Sequence, residues 1–250
     1  GLMRRAVSEA LFIARNRVAF RKRLVDLPLM RRQLLKLMVP AEQARTMMFQ
    51  TAQALRAADN NEEGAYALAR IMTPMIKFRA TRDARAVTAD AMEVRGGCGY
   101  IEEWSDPRIV RDAHLGSIWE GTSNIVALDV VRAIRREGSL PVLKAHLQKL
   151  LDAGKADASL RQDLQGCLER ACELGEAAAE KGADTLARQA GTALYNITTA
   201  IAMAWEATQS GSARRMTLAR LVVQHRLKPQ DPLANSRTPE AEAAEAELLG

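Results

Sequence analysis

Gly96-Gly97-Cys98-Gly99-Tyr100 through Asn124, reading GGCGYIEEWSDPRIVRDAHLGSIWEGTSN, is where glycines, hydroxyl side chains and an isolated carboxylate crowd together in a chain otherwise built of helix-like segments. Gly96, Gly97 and Gly99 supply positions that take positive φ or let a backbone or ligand approach closely, which suits a turn leaving a long helix with main-chain N–H groups turned outward. At the far end, Trp119-Glu120-Gly121-Thr122-Ser123-Asn124 precedes the apolar-periodic run Ile125, Leu128, Val131, Ile134, so Thr122, Ser123 or Asn124 can cap a helix reaching Arg136. Glu120 stands just ahead of that helix, beside Trp119, whose ring can restrict water around it. A competing, purely structural reading makes Ser117 and Glu120 a capping box, S-x-x-E.

Outward from this stretch the chain reads as all-α. It has 250 residues, 48% of them hydrophobic but only 4% aromatic, so its core rests on Ala, Leu, Val, Ile and Met and favours helix packing over a β-sandwich. Residues 2–24 carry apolar positions at helical spacing (Leu2, Ala6, Ala10, Ile13, Ala14, Phe20, with Arg17 on the same spacing) interleaved with arginines, an amphipathic helix with a basic face. A second helix is expected over 29–58, kinked or interrupted by Pro40, and a third from the loop Asp59–Gly64 toward Val94, with Pro74 a bend. Long helices with short joins imply an antiparallel bundle. Arg108, Arg111 and Asp112 read as an ion-pair network fixing the loop before Glu120. Gly138 and Pro141 mark a boundary, and helices near 140–151, 159–180, 183–209 and 213–227 form a second helical domain. The expected division is 1–137, 138–228, and a mobile tail over 229–250, where the composition is rich in Pro, Ala and Glu.

Composition also excludes. No apolar run approaches the ~20 residues of a membrane span, and the opening GLMRRAVSEA lacks the apolar region of a signal peptide, so a cytoplasmic protein is expected. Cys98, Cys167 and Cys172 show no C-x-x-C spacing, and His114, His146 and His225 are scattered, so no metal is expected. The net charge of +6 is uneven: residues 1–136 hold 23 Lys/Arg against 15 Asp/Glu, net +8, and residues 137–250 hold 13 against 15, net −2. The first part therefore prefers anionic company, whether phosphates of a nucleotide cofactor, of CoA or of nucleic acid.

The stretch RGGCGYIEEWSDPRIVRDAHLGSIWEGTSNIVALDVVRAI resembles the C-terminal signature of the flavin-dependent acyl-CoA dehydrogenases: a GG-x-GY turn, an RDA segment, then EGT-x-x-I. Arg17-Val18-Ala19-Phe20 resembles the family's R-x-x-F at the close of a long helix, which extends the resemblance over roughly residues 2–136. IWEG followed by NI-x-x-LDV-x-R is most similar to the AidB-type branch, which carries an additional helical domain. In the family the first helix follows an N-terminal helical domain and a β-domain, so a piece of a longer protein is expected, inactive alone.

The resemblance implies an enzyme that desaturates an acyl-CoA thioester with FAD. Glu120 would be the base that removes the α-proton, and its main-chain N–H would polarise the thioester carbonyl. Arg17, with Phe20 of the same motif, would contact the flavin dinucleotide's pyrophosphate from a neighbouring subunit, so a homodimer or homotetramer is implied. Glu93, standing where the family has Gln, and Gly97 would meet the adenine part. Thr122 would bond the flavin by its hydroxyl and Asn124 by its main chain, while Trp119 and Gly121 would border the acyl group. Arg21 stands where the family usually has Gly. Electrons would pass to an electron-transfer flavoprotein or, in some branches of the family, to oxygen. The alternative from the same branch is a DNA-associated flavoprotein with vestigial dehydrogenase activity, supported by the basic Arg214–Lys228 segment.

Overall fold

A computed structural model describes residues 1–235 and 238–249. Among them it has ten α-helices and one two-residue hairpin, an all-α protein. The chain divides into two compact units: residues 1–42, 80–119 and those described from 231 onward form the first, and residues 43–79 and 120–230 the second. None of the described helices is long and apolar enough to cross a membrane.

In the first unit, α1 (Leu2–Asn16) buries Met3, Ala6, Val7, Ala10 and Ala14, the three- and four-residue spacing of a single apolar stripe. The helix stops at Arg17, whose backbone is extended (φ −83°, ψ 131°), well short of residue 24. Strand β1 (Val18–Ala19) then pairs antiparallel with β2 (Lys22–Arg23), and the turn between them holds Phe20 and Arg21 at φ 50° and 63°. Helical spacing misreads this end because Phe20, counted as part of the stripe, is 88% exposed. Two successive left-handed residues suit a tight hairpin, and arginine takes that conformation at a steric cost.

Helices α2 (Pro28–Asp59) and α3 (Ala65–Arg95) each contain an internal proline, Pro40 and Pro74, and neither ends its helix. Gln33, early in α2, donates to Asp90 O at 3.3 Å near the end of α3, so the two are antiparallel. Arg108, Arg111 and Asp112, expected to fix the loop before Glu120, lie on a helix, α4 (Asp106–Leu115), with Pro107 in its first turn and Ile109 and Ala113 buried. Helix α10 (Pro239–Leu249) lies in the stretch whose composition suggests a tail, and it buries Ala244, Leu248 and Leu249.

The second unit is organised around α8 (Ala187–Ser210). Every residue from Leu194 to Ala204 is buried, as expected of a helix enclosed on all sides. Helices α5 (Ser123–Glu137), α6 (Ser139–Ala153), α7 (Ala158–Ala179) and α9 (Ala213–Val222) pack against it, and a π-helical turn, Val223–Leu227, extends α9. Leu143, Leu147, Leu164 and Leu168 are wholly buried there, each contributing about 1.5–3 kcal/mol. A polar seam runs through the same core: Gln43 donates to Asn196 Oδ1 at 3.0 Å and to Thr199 Oγ1 at 2.8 Å, while Arg215 pairs with Glu206 and meets Thr46. At about 1 kcal/mol per hydrogen bond, the seam specifies which helix faces meet more than it holds them together.

Candidate functional site

The first group of site residues surrounds the glycine turn. Helix α3 ends at Arg95 and passes into a 3-10 turn, Gly96–Tyr100, with Gly96 at φ +74°. Gly99 packs so closely that a Cβ there would lie 2.3 Å from the Met92 carbonyl oxygen, which excludes every side chain. Gly97 is exposed, with open space where a Cβ would stand.

Arg95 is the hub of this turn. Its guanidinium donates to Asp106 Oδ2 at 2.8 Å and Glu9 Oε2 at 3.0 Å and stacks 4.5 Å from the Trp104 ring centroid, while its main-chain carbonyl accepts from Arg17 Nη1 at 2.8 Å. The Arg95 side chain is only 7% exposed and that of Asp106 5%. One buried cation therefore ties the start of α4 and the middle of α1 to the end of α3, and Asp106 in the first turn of α4 is also favoured by the helix dipole. Sequence reasoning missed Arg95, Glu9 and Asp106. A lone arginine before two glycines gives no sign that it will be buried, although Asp106-Pro107 was a legible helix start. Of the three residues assigned to a local network, Arg111 forks onto Glu102 (2.6 and 3.1 Å) in an exposed pair, and Glu102's carboxyl is held below its usual range by that contact.

The Arg17 side chain lies over the turn, where Nη1 would stand 3.2 Å from a Cβ on Gly96. Arg17 and the Gly96–Gly97 edge are thus brought together. Glu93, one turn earlier on α3, is exposed and accepts weakly from Gln33 Nε2 at 3.4 Å. Phe20 projects into solvent from the hairpin tip.

The second group precedes α5. Glu120 has φ +49° and Gly121 φ +104°, followed by Thr122 as N-cap in extended conformation. Ser117 Oγ donates to His114 O at 3.1 Å, and the helix begins at Ser123, so the Ser117–Glu120 capping box does not form. The Thr122 hydroxyl makes no capping bond. Glu120, Thr122 and Asn124 are exposed, and Trp119 is 57% exposed. Gly121 is needed twice: its φ disfavours any side chain, and a Cβ would come within 3.2 Å of Val126 Cγ2. The second group therefore offers a carboxylate, a hydroxyl and the open N-terminus of a fifteen-residue helix, all facing solvent.

Residues 1–135 match the family described as the acyl-CoA dehydrogenase C-terminal domain. AidB of Escherichia coli is 39% identical over 140 residues, 56% of this chain and 25% of AidB. Acyl-CoA dehydrogenase family member 11 of Caenorhabditis elegans is 31% identical over 160 residues, 63% of this chain and 26% of that protein. The crystal structure of C. elegans ACDH-11 in complex with C11-CoA aligns with a TM-score of 0.84 at 24% identity, over 92% of this chain and 42% of that one, so its fold continues beyond the matched domain. The chain spans about a quarter of the length of these curated relatives. With more than half of its residues forming that domain, the chain belongs to the acyl-CoA dehydrogenase family.

Proposed function

We propose that the protein containing this chain is an FAD-dependent acyl-CoA dehydrogenase with Glu120 as its base. The observation that carries this reading is the backbone at residues 120–122: a left-handed Glu120, a glycine no other residue replaces cheaply, and a helix whose cap hydroxyl is uncommitted. Such a conformation in a non-glycine residue is retained against a cost of about 1–3 kcal/mol, and here it occurs in the family's E-G-T.

In this mechanism the Glu120 carboxylate removes the α-proton of an acyl-CoA thioester. The main-chain N–H of the same residue donates to the thioester carbonyl and stabilises the charge that develops there. Trp119 and Gly121 border the acyl chain, whose apolar carbons exclude water from the carboxylate. The residues present fit a flavin dinucleotide: Arg17 lies along an open glycine edge suited to phosphate, and the Thr122 hydroxyl and the main chain of Asn124 stand at an uncapped helix start. FAD, when bound, supplies the hydride acceptor for the β-carbon. In a homodimer or homotetramer, Arg17 and Phe20 would reach the pyrophosphate, and Gly97 and Glu93 the adenine part, of the flavin held by a second copy. An electron-transfer flavoprotein would reoxidise the enzyme. Turnover belongs to the longer protein, and residues 138–228 form its additional helical domain.

The test is an anaerobic titration of the full-length protein with acyl-CoAs of different length, following bleaching of the flavin absorbance, alongside Glu120→Gln. Bleaching that disappears in the variant while flavin stays bound supports the assignment. Flavin that is retained but bleached by no acyl-CoA overturns it. That outcome favours the second reading, DNA association through the net +8 of residues 1–136, in which affinity falls steeply with salt.

A further inference from the structure

The first unit contains a cavity of about 220 Å³ lined by Arg15, Arg23, Val25, Asp26, Arg31 and Leu249. Three guanidinium groups share it with one carboxylate. Arg23 forks onto Asp26, Nε to Oδ2 at 2.9 Å and Nη2 to Oδ1 at 3.2 Å, which neutralises that acid. Arg31 donates through Nε to Val25 O at 2.9 Å, so its guanidinium plane is anchored; its charge also acts on Asp26, but its Nη groups make no hydrogen bond to the described residues. Among the described residues, neither those groups nor Arg15 meets a protein acceptor. Two positive charges are thus left over at one small cavity, a local excess that an anion would relieve.

This cavity is separate from the glycine turn. Arg17 is committed to Arg95 O and does not line it, and Arg15 lies two residues earlier, about 200° away around a helix. Its volume is below the ~300–1,000 Å³ of sites that enclose drug-sized ligands, so it suits a compact anionic group. Planar forks of N–H donors match the tetrahedral oxygens of phosphate, and arginine is well suited to present them.

We propose that the Arg15–Arg23–Arg31 cavity binds a phosphate group, either free phosphate or the terminal group of a small phosphorylated metabolite. This site is independent of the dehydrogenase reading. Leu249 of α10 forms one wall of this open cavity.

Isothermal titration calorimetry of the full chain, at constant ionic strength with chloride as the background anion, tests this with inorganic phosphate and with a nucleoside 5′-monophosphate as probes. Saturable one-to-one binding is expected. Arg15→Gln combined with Arg31→Gln should weaken it at least about tenfold, the loss of one charge-assisted contact, while Arg108→Gln on the exposed face of α4 should leave it unchanged. Asp26→Asn removes the competing carboxylate and releases Arg23, so it should tighten binding, a gain that misfolding cannot imitate. Tighter binding of the nucleotide identifies a phosphorylated metabolite as the occupant, and equal or weaker binding identifies free phosphate. Absence of saturable binding by either probe, undiminished affinity in the double variant, or weaker binding in Asp26→Asn would overturn the proposal.

Discussion

The glycine turn of the first unit and the Glu120 loop of the second treat their charged groups in opposite ways. At the turn, Arg95 and Asp106 are drawn inside, Glu9 is half-buried beside them, and Arg17 gives one donor, Nη1, to a main-chain carbonyl. Before α5, Glu120, Thr122 and Asn124 are exposed, the cap hydroxyl is unused, and the backbone is held in a left-handed conformation. The first arrangement stabilises a shape; the second keeps groups available. Charge at the turn should therefore be read out in stability, and charge at the loop in reactivity.

The largest effect expected from that contrast is at the loop. If the proposed function holds, Glu120→Gln in the full-length protein should slow flavin bleaching by acyl-CoA about 10²–10⁴-fold, the range for removing a general base, with the melting temperature unchanged. A comparable fall in melting temperature would make Glu120 a structural residue and erase the contrast. Next comes the turn. Arg95→Leu leaves Asp106 buried without its partner and should cost about 3–5 kcal/mol in denaturant unfolding; the double variant Arg95→Leu/Asp106→Leu should recover much of it. If Arg95→Leu is neutral, the buried pair is not what holds the turn.

A smaller effect sharpens the comparison from the side of backbone strain. Arg21→Gly removes the steric cost of φ 63° from the hairpin and should stabilise the chain by about 1 kcal/mol, measured as a higher urea midpoint. The smallest effect concerns pH. His146 on α6, beside Gln50, has its pKa lowered first by burial and then by Lys149. The fold therefore favours the neutral ring: this contribution is fully present above the ordinary pKa of about 6.5 and is lost as pH falls through and below it. Between pH 7.5 and 5.5 the wild type should lose more stability than His146→Gln, and equal losses would remove the histidine from the account.

Local regularities survived well into the structure. Of the expected stripe, Ala6, Ala10 and Ala14 are buried in α1, with Met3 and Val7 completing it in place of Leu2 and Ile13, and the long helices α2 and α3 emerge close to their expected ends because turn residues such as Asn61 and Gly64 take positive φ between them. Failures occurred where a local pattern was ambiguous. Phe20 continues a helical spacing yet sits on a hairpin, and α4 was not expected because its charged residues hide the short run of buried positions Pro107, Ile109 and Ala113. Of the site, the E-G-T segment and the glycine turn were legible as motifs; the strain at Glu120 and the commitment of Arg17 were not.

Helix periodicity, turn residues and family membership are properties of neighbouring residues, and the sequence alone determined them because the forces that set them act over one or two turns of chain. Tertiary structure decided which charges would be buried. Arg95 meets Glu9 across 86 residues, and Arg17 reaches the Arg95 carbonyl across 78. It also decided that the middle of α8, Leu194 to Ala204, would be enclosed on every side, with Asn196 and Thr199 answered by Gln43 more than 150 residues away. Burial of a charge or an amide depends on the groups that close around it, and those are chosen by packing.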